Sequence, residues 1–412
     1  MQGKRHSLMV FLFFTGYAIV YIDKTVIGFA ILPIEREFSL RPEQLGYIPG
    51  IFFLAYSLFQ IPAGWFADRF GSKKILLGSL FLLGGFAICF GWLGLTFSLL
   101  LTFRFLSGMG HAGYPTSCAK AISASFSIEK RTFAQSILLS SAGLAMTLGP
   151  LVAVYCLGHA GWRGSFISLG IIAFVVMSCI YFLIPHQQQE GFHSPLKQRD
   201  VSYRQLLKSP VVILLFISIF CLNIPSYGLM TWLPKFLVQS RGMSTSTSGL
   251  VAAAGGAGMW ISSLCTGYLV GRYMQGKEHR VVCTSSLLSA VCIWLVYLSD
   301  SAMSAGLFLF LGYVFLMASF VTVFTLPMKR LPMYAMGAAM GIIYTGGTLG
   351  GFVAPIIMGY LVTMSQGYFS TFFFLVLVMV VSGLVLLPLA GKYGQFSSDA
   401  TPKYQQGETD DQ

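Results

Sequence analysis

Runs of about twenty apolar residues, each long enough to cross the roughly 30 Å hydrocarbon core of a bilayer as a helix, recur from one end of this sequence to the other. They lie near 8–30, 45–67, 75–95, 97–119, 132–156, 164–185, 210–233, 247–271, 281–299, 303–326, 336–362 and 368–390. Inside a bilayer every backbone N–H and C=O needs a partner, and a helix supplies one within its own segment. The chain is therefore expected to be an all-α integral membrane protein with twelve transmembrane helices. Its composition suits that solvent, since 55% of the 412 residues are hydrophobic and 10% charged. The first run keeps Tyr17, Tyr21, Asp23 and Lys24 and has no small-residue cleavage site after it, so it is read as helix 1 and not as a removed signal peptide.

The net charge of +12 follows membrane topology and not nucleic-acid binding. With the N-terminus cytoplasmic, 19 of the 26 Lys and Arg fall in cytoplasmic segments, which is the positive-inside bias. Both termini are expected in the cytoplasm, with an even number of spans between them. All eight cysteines lie inside apolar runs, without paired CxxC spacing. They read as packing residues, so no disulfide framework, metal site or cofactor is expected.

The polar stretch PHQQQEGFHSPLKQRDVSYRQLLKSP, 185–210, separates six runs from six. The expected organisation is an N-terminal six-helix half (1–184), a cytoplasmic central loop (185–209), a C-terminal six-helix half (210–390) and a disordered cytoplasmic tail (391–412). A weak internal repeat relates the halves. GWFADRFGSKK (64–74) follows the second run and GYLVGRYMQGKEH (267–279) the eighth, with Gly64 and Arg69 matched by Gly267 and Arg272. Two six-helix repeats are the build of one large class of secondary transporter. Gly64, Asp68, Arg69, Gly71 and Lys73 form a candidate conformational motif. Gly64 is expected to let helices approach closely, Asp68 to cap or pair across helix ends, and Arg69, Lys73 and Lys74 to anchor to the anionic leaflet.

This loop resembles the signature between helices 2 and 3 of the major facilitator superfamily. The stretches LGYIPGIFFLAYSLFQIPAGWFADRFGSKK, FRFLSGMGHAGYPTSCAKAISASFSIEKRTFAQSI and TWLPKFLVQSRGMSTSTSGLVAA are together similar to helix 2, helix 4 with its following loop, and the end of helix 7 in the anion:cation symporter family. The superfamily resemblance covers nearly the whole chain, and the narrower one is good through residue 250. It implies two pseudo-symmetric halves working by alternating access. It also implies a basic residue after Asp in helix 1 for the substrate carboxylate and an Arg in helix 4, here Lys24 after Asp23, and Arg104. Where the family commonly has a Glu linked to proton coupling, this chain has His111. Where asparagines are common in helix 11, it has Tyr344 and Thr348.

The residues can also be read on their own chemistry. A charge near the bilayer midplane costs about 2.5–3.5 kcal/mol on insertion scales, so Asp23 and Lys24 in YIDKTVIGFA, with Arg104 and His111, are candidate functional groups. Tyr17, Tyr21, Lys24 and Gly28 share one face of helix 1, and Arg104, Gly108, His111 and Pro115 share one face of helix 4. Both faces are expected to line a central cavity. Its excess of positive charge suits an anion, Arg offering a planar fork to a carboxylate and Lys a point charge. Asp23 is expected to keep Lys24 tolerable while the site is empty, and Asp23 or His111 to exchange a proton. The plain alternatives are a Lys24 paired only with Asp23, an Arg104 that holds helices together, and a packing His111. Further candidate substrate contacts are Tyr21, Tyr47, Asn223, Tyr227, Tyr344 and Thr348.

No GxxxxGK[ST], HExxH, GxSxG or CxxC signature is present, which disfavours an ATP-driven pump and an enzyme. The expected function is import of a small organic anion, a carboxylate or sugar acid, with a proton. A transporter of a zwitterionic or neutral nutrient is the alternative, and a non-transporting receptor a more distant one. The expected partners are a small-molecule substrate, a proton and the lipid bilayer, with no nucleic acid. The expected state is a monomer in a bacterial inner membrane.

Overall fold

The structure, a computed structural model, describes residues 2–126, 128–184, 203–274, 276–331 and 333–390. Every extended element among them is helical: α1 (Gln2–Phe38), α2 (Pro42–Phe70), α3 (Ser72–Leu93), α4 (Phe97–Ser125), α5 (Ile128–Leu183), α6 (Tyr203–Lys208), α7 (Pro210–Arg241), α8 (Thr245–Tyr273), α9 (Glu278–Leu298), α10 (Ala302–Arg330), α11 (Met333–Ser365) and α12 (Phe369–Leu384). α5 carries two of the expected spans, parted by Gly161 at φ 63, ψ −179, a backbone shape that glycine adopts without a Cβ clash. α6 falls within the expected central loop. Residues 185–202 and the expected tail, 391–412, lie outside the described residues.

Ten described segments are long and apolar enough to cross a membrane. One of them, Ser140–Leu183, holds both spans of α5, and α4 is not among them. Arg104, His111 and Lys120 dilute its apolar character. Large apolar side chains stand open on the outer surface, Met303 84%, Phe182 79% and Trp92 71% exposed, as a lipid-facing belt requires.

The helices pack in two sets. In the first, α1 lies on α5, α2 on α4, and α3 on α4 and α5; in the second, α7 lies on α11 and α12, α8 on α10, and α9 on α10 and α12. The sets meet where α1 touches α7, α2 touches α11 and α5 touches α8. These seams run from mid-molecule to the end at which α1 gives way to α2, hereafter the far end. The opposite, terminal end carries residue 2 and the α2–α3 turn.

Two of the seams are built from a proline in one helix and a glycine in the other. Pro150 and Pro234 lie inside α5 and α7, and each withdraws the N–H that the carbonyl four residues earlier would accept. The carbonyls freed are those of Met146 and Met230. Opposite each stands a glycine of the other set: a Cβ at Gly256 would lie 2.2 Å from the Met146 oxygen, and one at Gly28 2.2 Å from the Met230 oxygen. Backbone thus meets backbone, with room for Cα–H···O contacts and for nothing larger. Polar contacts finish the far end. Lys235 Nζ lies 2.6 Å from Glu35, Gln239 donates to the same carboxylate at 3.4 Å, and the Tyr47 and Tyr360 hydroxyls are 2.7 Å apart.

Alanine normally favours a helix over glycine by about 1 kcal/mol. Gly28→Ala and Gly256→Ala should nevertheless lower the thermal midpoint of the detergent-solubilised protein. Gly78→Ala should hold or raise it, since a methyl there meets nothing within 4 Å. Equal midpoints for all three would remove the close approach as a determinant of the seam.

Candidate functional site

Lys24 leaves the middle of α1 and enters a box of aromatic rings. Its ammonium lies 4.5 Å from the centroid of Tyr21, 4.9 Å from Tyr56, 5.5 Å from Phe53 and 5.8 Å from Tyr227. The rings come from α1, α2 and α7, so the box spans both helix sets. Lys24 is 2% exposed, and among the described residues no carboxylate stands within ion-pair distance of it. Cation–π attraction, up to about 2 kcal/mol for a desolvated contact, softens that isolation without neutralising the charge.

Asp23 does not serve as its partner, which corrects the expected pairing. Adjacent helical residues do not face each other, and the Asp23 carboxylate turns to α4, where Arg104 Nη1 donates to both oxygens at 3.2 and 3.1 Å. Both side chains are almost wholly buried. The Arg104 guanidinium is enclosed by Phe52 at 4.7 Å and by Phe90 and Phe166 at 5.6 Å, rings of α2, α3 and α5. It therefore lies inside the first helix set, and the expectation that it lines a cavity is corrected with it. The reading in which Arg104 holds helices together describes what is seen.

His111 is fully buried, its ring 4.7 Å from Tyr56, 5.3 Å from Phe52 and 6.4 Å from Tyr21. Neither ring nitrogen has a hydrogen-bond partner among the described residues. The shared face of α4 thus packs on α2, with Phe52 touching both Arg104 and His111. Gly108 permits that contact, because a Cβ there would lie 2.3 Å from the Phe52 carbonyl oxygen.

The remaining candidates divide. Tyr21 stacks on Tyr17 at 5.3 Å, and Tyr227 lies 4.3 Å from Phe53. α11 closes this side at Gly351, where a Cβ would come within 2.7 Å of Phe53 and 3.0 Å of Tyr227. Tyr344 is 45% exposed, stacks on Phe324 at 4.6 Å and stands within electrostatic reach of Tyr21 and Tyr56. Asn223 and Thr348 are buried and spend their side chains on their own helices, Asn223 Nδ2 on Ile219 O at 2.8 Å and Thr348 Oγ1 on Thr345 O at 3.1 Å. Tyr47 belongs to the far-end seam with Tyr360. Among the described residues, no hydrogen bond ties these three to the ring box.

At the terminal end, Lys73 caps α5 by donating to the carbonyls of Tyr181 (3.0 Å) and Ile184, a task other than the expected leaflet anchoring. Gly64 meets no neighbour that a Cβ would touch, so the expected close approach there is corrected; its carbonyl accepts from Lys120 at 2.8 Å. Gly71 holds φ +94 in the α2–α3 turn, where an L side chain is strained. The Arg69 guanidinium lies 5.3 Å from Trp65 and 5.9 Å from Phe70, and that of Arg272 lies 5.8 Å from Tyr268 and 5.6 Å from Tyr273. The repeat thus carries over to ring positions four residues before and one after each Arg. The Asp68 side chain lies outside the described residues.

Comparison with known proteins decides the family. The family model described as Major Facilitator Superfamily matches residues 13–355. The chain belongs to the Major Facilitator Superfamily. Among its relatives, a probable sulfoacetate transporter of Cupriavidus necator is 27% identical over 374 residues, covering 85% of this chain and 86% of that one. A probable galactarate/D-glucarate transporter of Escherichia coli K12 is 26% identical over 427 residues, covering 93% of each. Among solved structures, a bacterial homologue of the human lysosomal transporter Spinster, in an inward-facing and occupied conformation, shares the fold. Its TM-score is 0.76 at 17% identity, with 93% of this chain and 95% of that chain covered. Membership makes the protein a multi-pass membrane transporter and not an enzyme.

Within this superfamily fold, two features escaped sequence reasoning. Phe53 carried no polar signal, although its spacing of three from Tyr56 puts both on one face of α2. Lys235 sits near the end of an apolar run, and nothing local pairs it with Glu35 some 200 positions away. Removing one partner of a buried ion pair costs about 3–5 kcal/mol because the other is left uncompensated. Asp23→Asn and Arg104→Gln should therefore each lower the thermal midpoint, and the double variant should recover part of the loss. Additive losses would show the pair to be uncoupled.

Proposed function

We propose that this transporter imports a small organic anion together with a proton by alternating access. The observation that carries the reading is the Lys24 ammonium, buried in rings from both helix sets, with no carboxylate within ion-pair distance among the described residues. A buried cation without a partner binds a carboxylate strongly because the ligand supplies the missing charge. Lys24 is the anchor, and Tyr21, Tyr56, Tyr227 and Tyr344 surround the ligand. Relatives named for sulfoacetate and for galactarate and D-glucarate, all organic acids, support this class.

The rest of the mechanism follows from charge. A monoanion entering an inside-negative cell works against about 2.3 kcal/mol per 100 mV, and one accompanying proton removes that opposition. Asp23 or His111 exchanges the proton: Asp23 is the carboxylate buried between α1 and α4, and neither His111 ring nitrogen has a partner among the described residues. The two six-helix halves rock about the ring box. The far-end seam is the closed extracellular gate, with both termini cytoplasmic, and the protein works as a monomer in a bacterial inner membrane. Gly64 to Lys73 form the hinge motif at the cytoplasmic side.

Uptake of a labelled carboxylate into proteoliposomes tests the reading. Lys24→Ala should cut uptake by about tenfold or more, the scale of one charge-assisted hydrogen bond, while Lys24→Arg should keep a measurable part. Undiminished uptake by Lys24→Ala would overturn the role of Lys24. An imposed inward proton gradient should drive accumulation, and indifference to it would remove the coupling.

A further inference from the structure

We propose, resting on the organic-anion reading above, that the preferred ligand is a monocarboxylate on a flat, apolar or aromatic body, and not a polyhydroxylated or doubly charged acid. Charge comes first. Arg104 is committed to Asp23 at 3.1–3.2 Å inside the first helix set, which leaves Lys24 as the one cation in the box among the described residues. A second carboxylate on the ligand would be buried without a counter-charge, and uncompensated burial of an ion strongly opposes binding.

Hydrogen-bonding capacity is the second observation. Each buried hydroxyl of a sugar acid needs a partner or suffers the desolvation penalty of an unsatisfied group. Three nearby polar side chains each give a donor to their own helix: Asn223 to Ile219 O, Thr348 to Thr345 O and Thr345 to Gly341 O at 2.9 Å. Lys24 itself faces ring surface, one phenylalanine and three tyrosines, whose hydroxyls are the polar groups of the box. Phe53 from one helix set and Tyr227 from the other lie 4.3 Å apart, and a flat ligand body adds to such a cluster by offset or edge contacts. Phe53 and Tyr227 are thereby the specificity-determining residues, and the anion is recognised by one charge and a flat face.

The test is binding by the purified full-length protein, read by calorimetry, with ligands that separate charge from body: benzoate and phenylacetate, gluconate, glucarate, and benzyl alcohol. Benzoate or phenylacetate should bind at least about tenfold more tightly than gluconate or glucarate. In Tyr227→Leu that preference should shrink toward parity. Gluconate or glucarate binding as tightly as the aromatic acids, and losing affinity in Lys24→Ala, would overturn this inference and leave the organic-anion reading standing. Benzyl alcohol matching benzoate, no binding of any acid, or acid binding indifferent to Lys24→Ala would overturn both. The wild-type ranking alone decides the central point, so the outcome does not depend on a variant folding.

Discussion

The pairing of Asp23 with Arg104 governs the rest of the first helix set. An arginine at this depth needs a partner, because moving its charge out of water without one costs more than helix packing returns. By taking both carboxylate oxygens it fixes α1 against α4, and Gly108 lets α4 settle on α2 at Phe52. The same bond determines what Lys24 is. Residues 23 and 24 are neighbours in sequence, yet the helix turns them to different surroundings. The anion and one cation neutralise each other inside the first set, and the other cation is presented between the sets.

Around this centre the molecule separates two kinds of contact. Within each set, large apolar side chains interlock, as where Phe90, Trp162 and Phe166 pack edge to face. Between the sets, the seams use glycines against proline-freed carbonyls, with one ion pair among the described residues, Glu35 with Lys235. A transporter that exposes one site to two sides in turn needs that division, since the interlocked bodies must persist while the seams part.

Much of this was legible in the sequence because helices in lipid are set by local composition. The apolar runs, the break before residue 164 and the one-face spacings of Tyr21 with Lys24 and of Arg104 with His111 depend only on residues a few positions apart. The partners of the charges did not, since Asp23 meets Arg104 across 81 positions and Lys235 meets Glu35 across 200. Proximity along the chain favoured Asp23 with Lys24, and helical geometry excludes it. Tyr47, Asn223 and Thr348 show the same limit: a polar side chain in an apolar run announces that it needs a bond, but its own helix or a seam supplies that bond as readily as a ligand does. Gly64 and Gly28 look alike as letters, and only the neighbouring helix tells an open surface from a backbone contact.

The glycine–carbonyl seams bear on the speed of the molecule as well as on its shape. Where Gly28 and Gly256 set backbone on backbone, parting draws no side chain out of a socket and loses little dispersion contact at once. The activation enthalpy for parting such a seam is small compared with that of unlocking an aromatic core. On the alternating-access proposal, opening at the far end is governed by the Glu35–Lys235 charges and the Tyr47–Tyr360 hydrogen bond, contacts that water can replace as it enters.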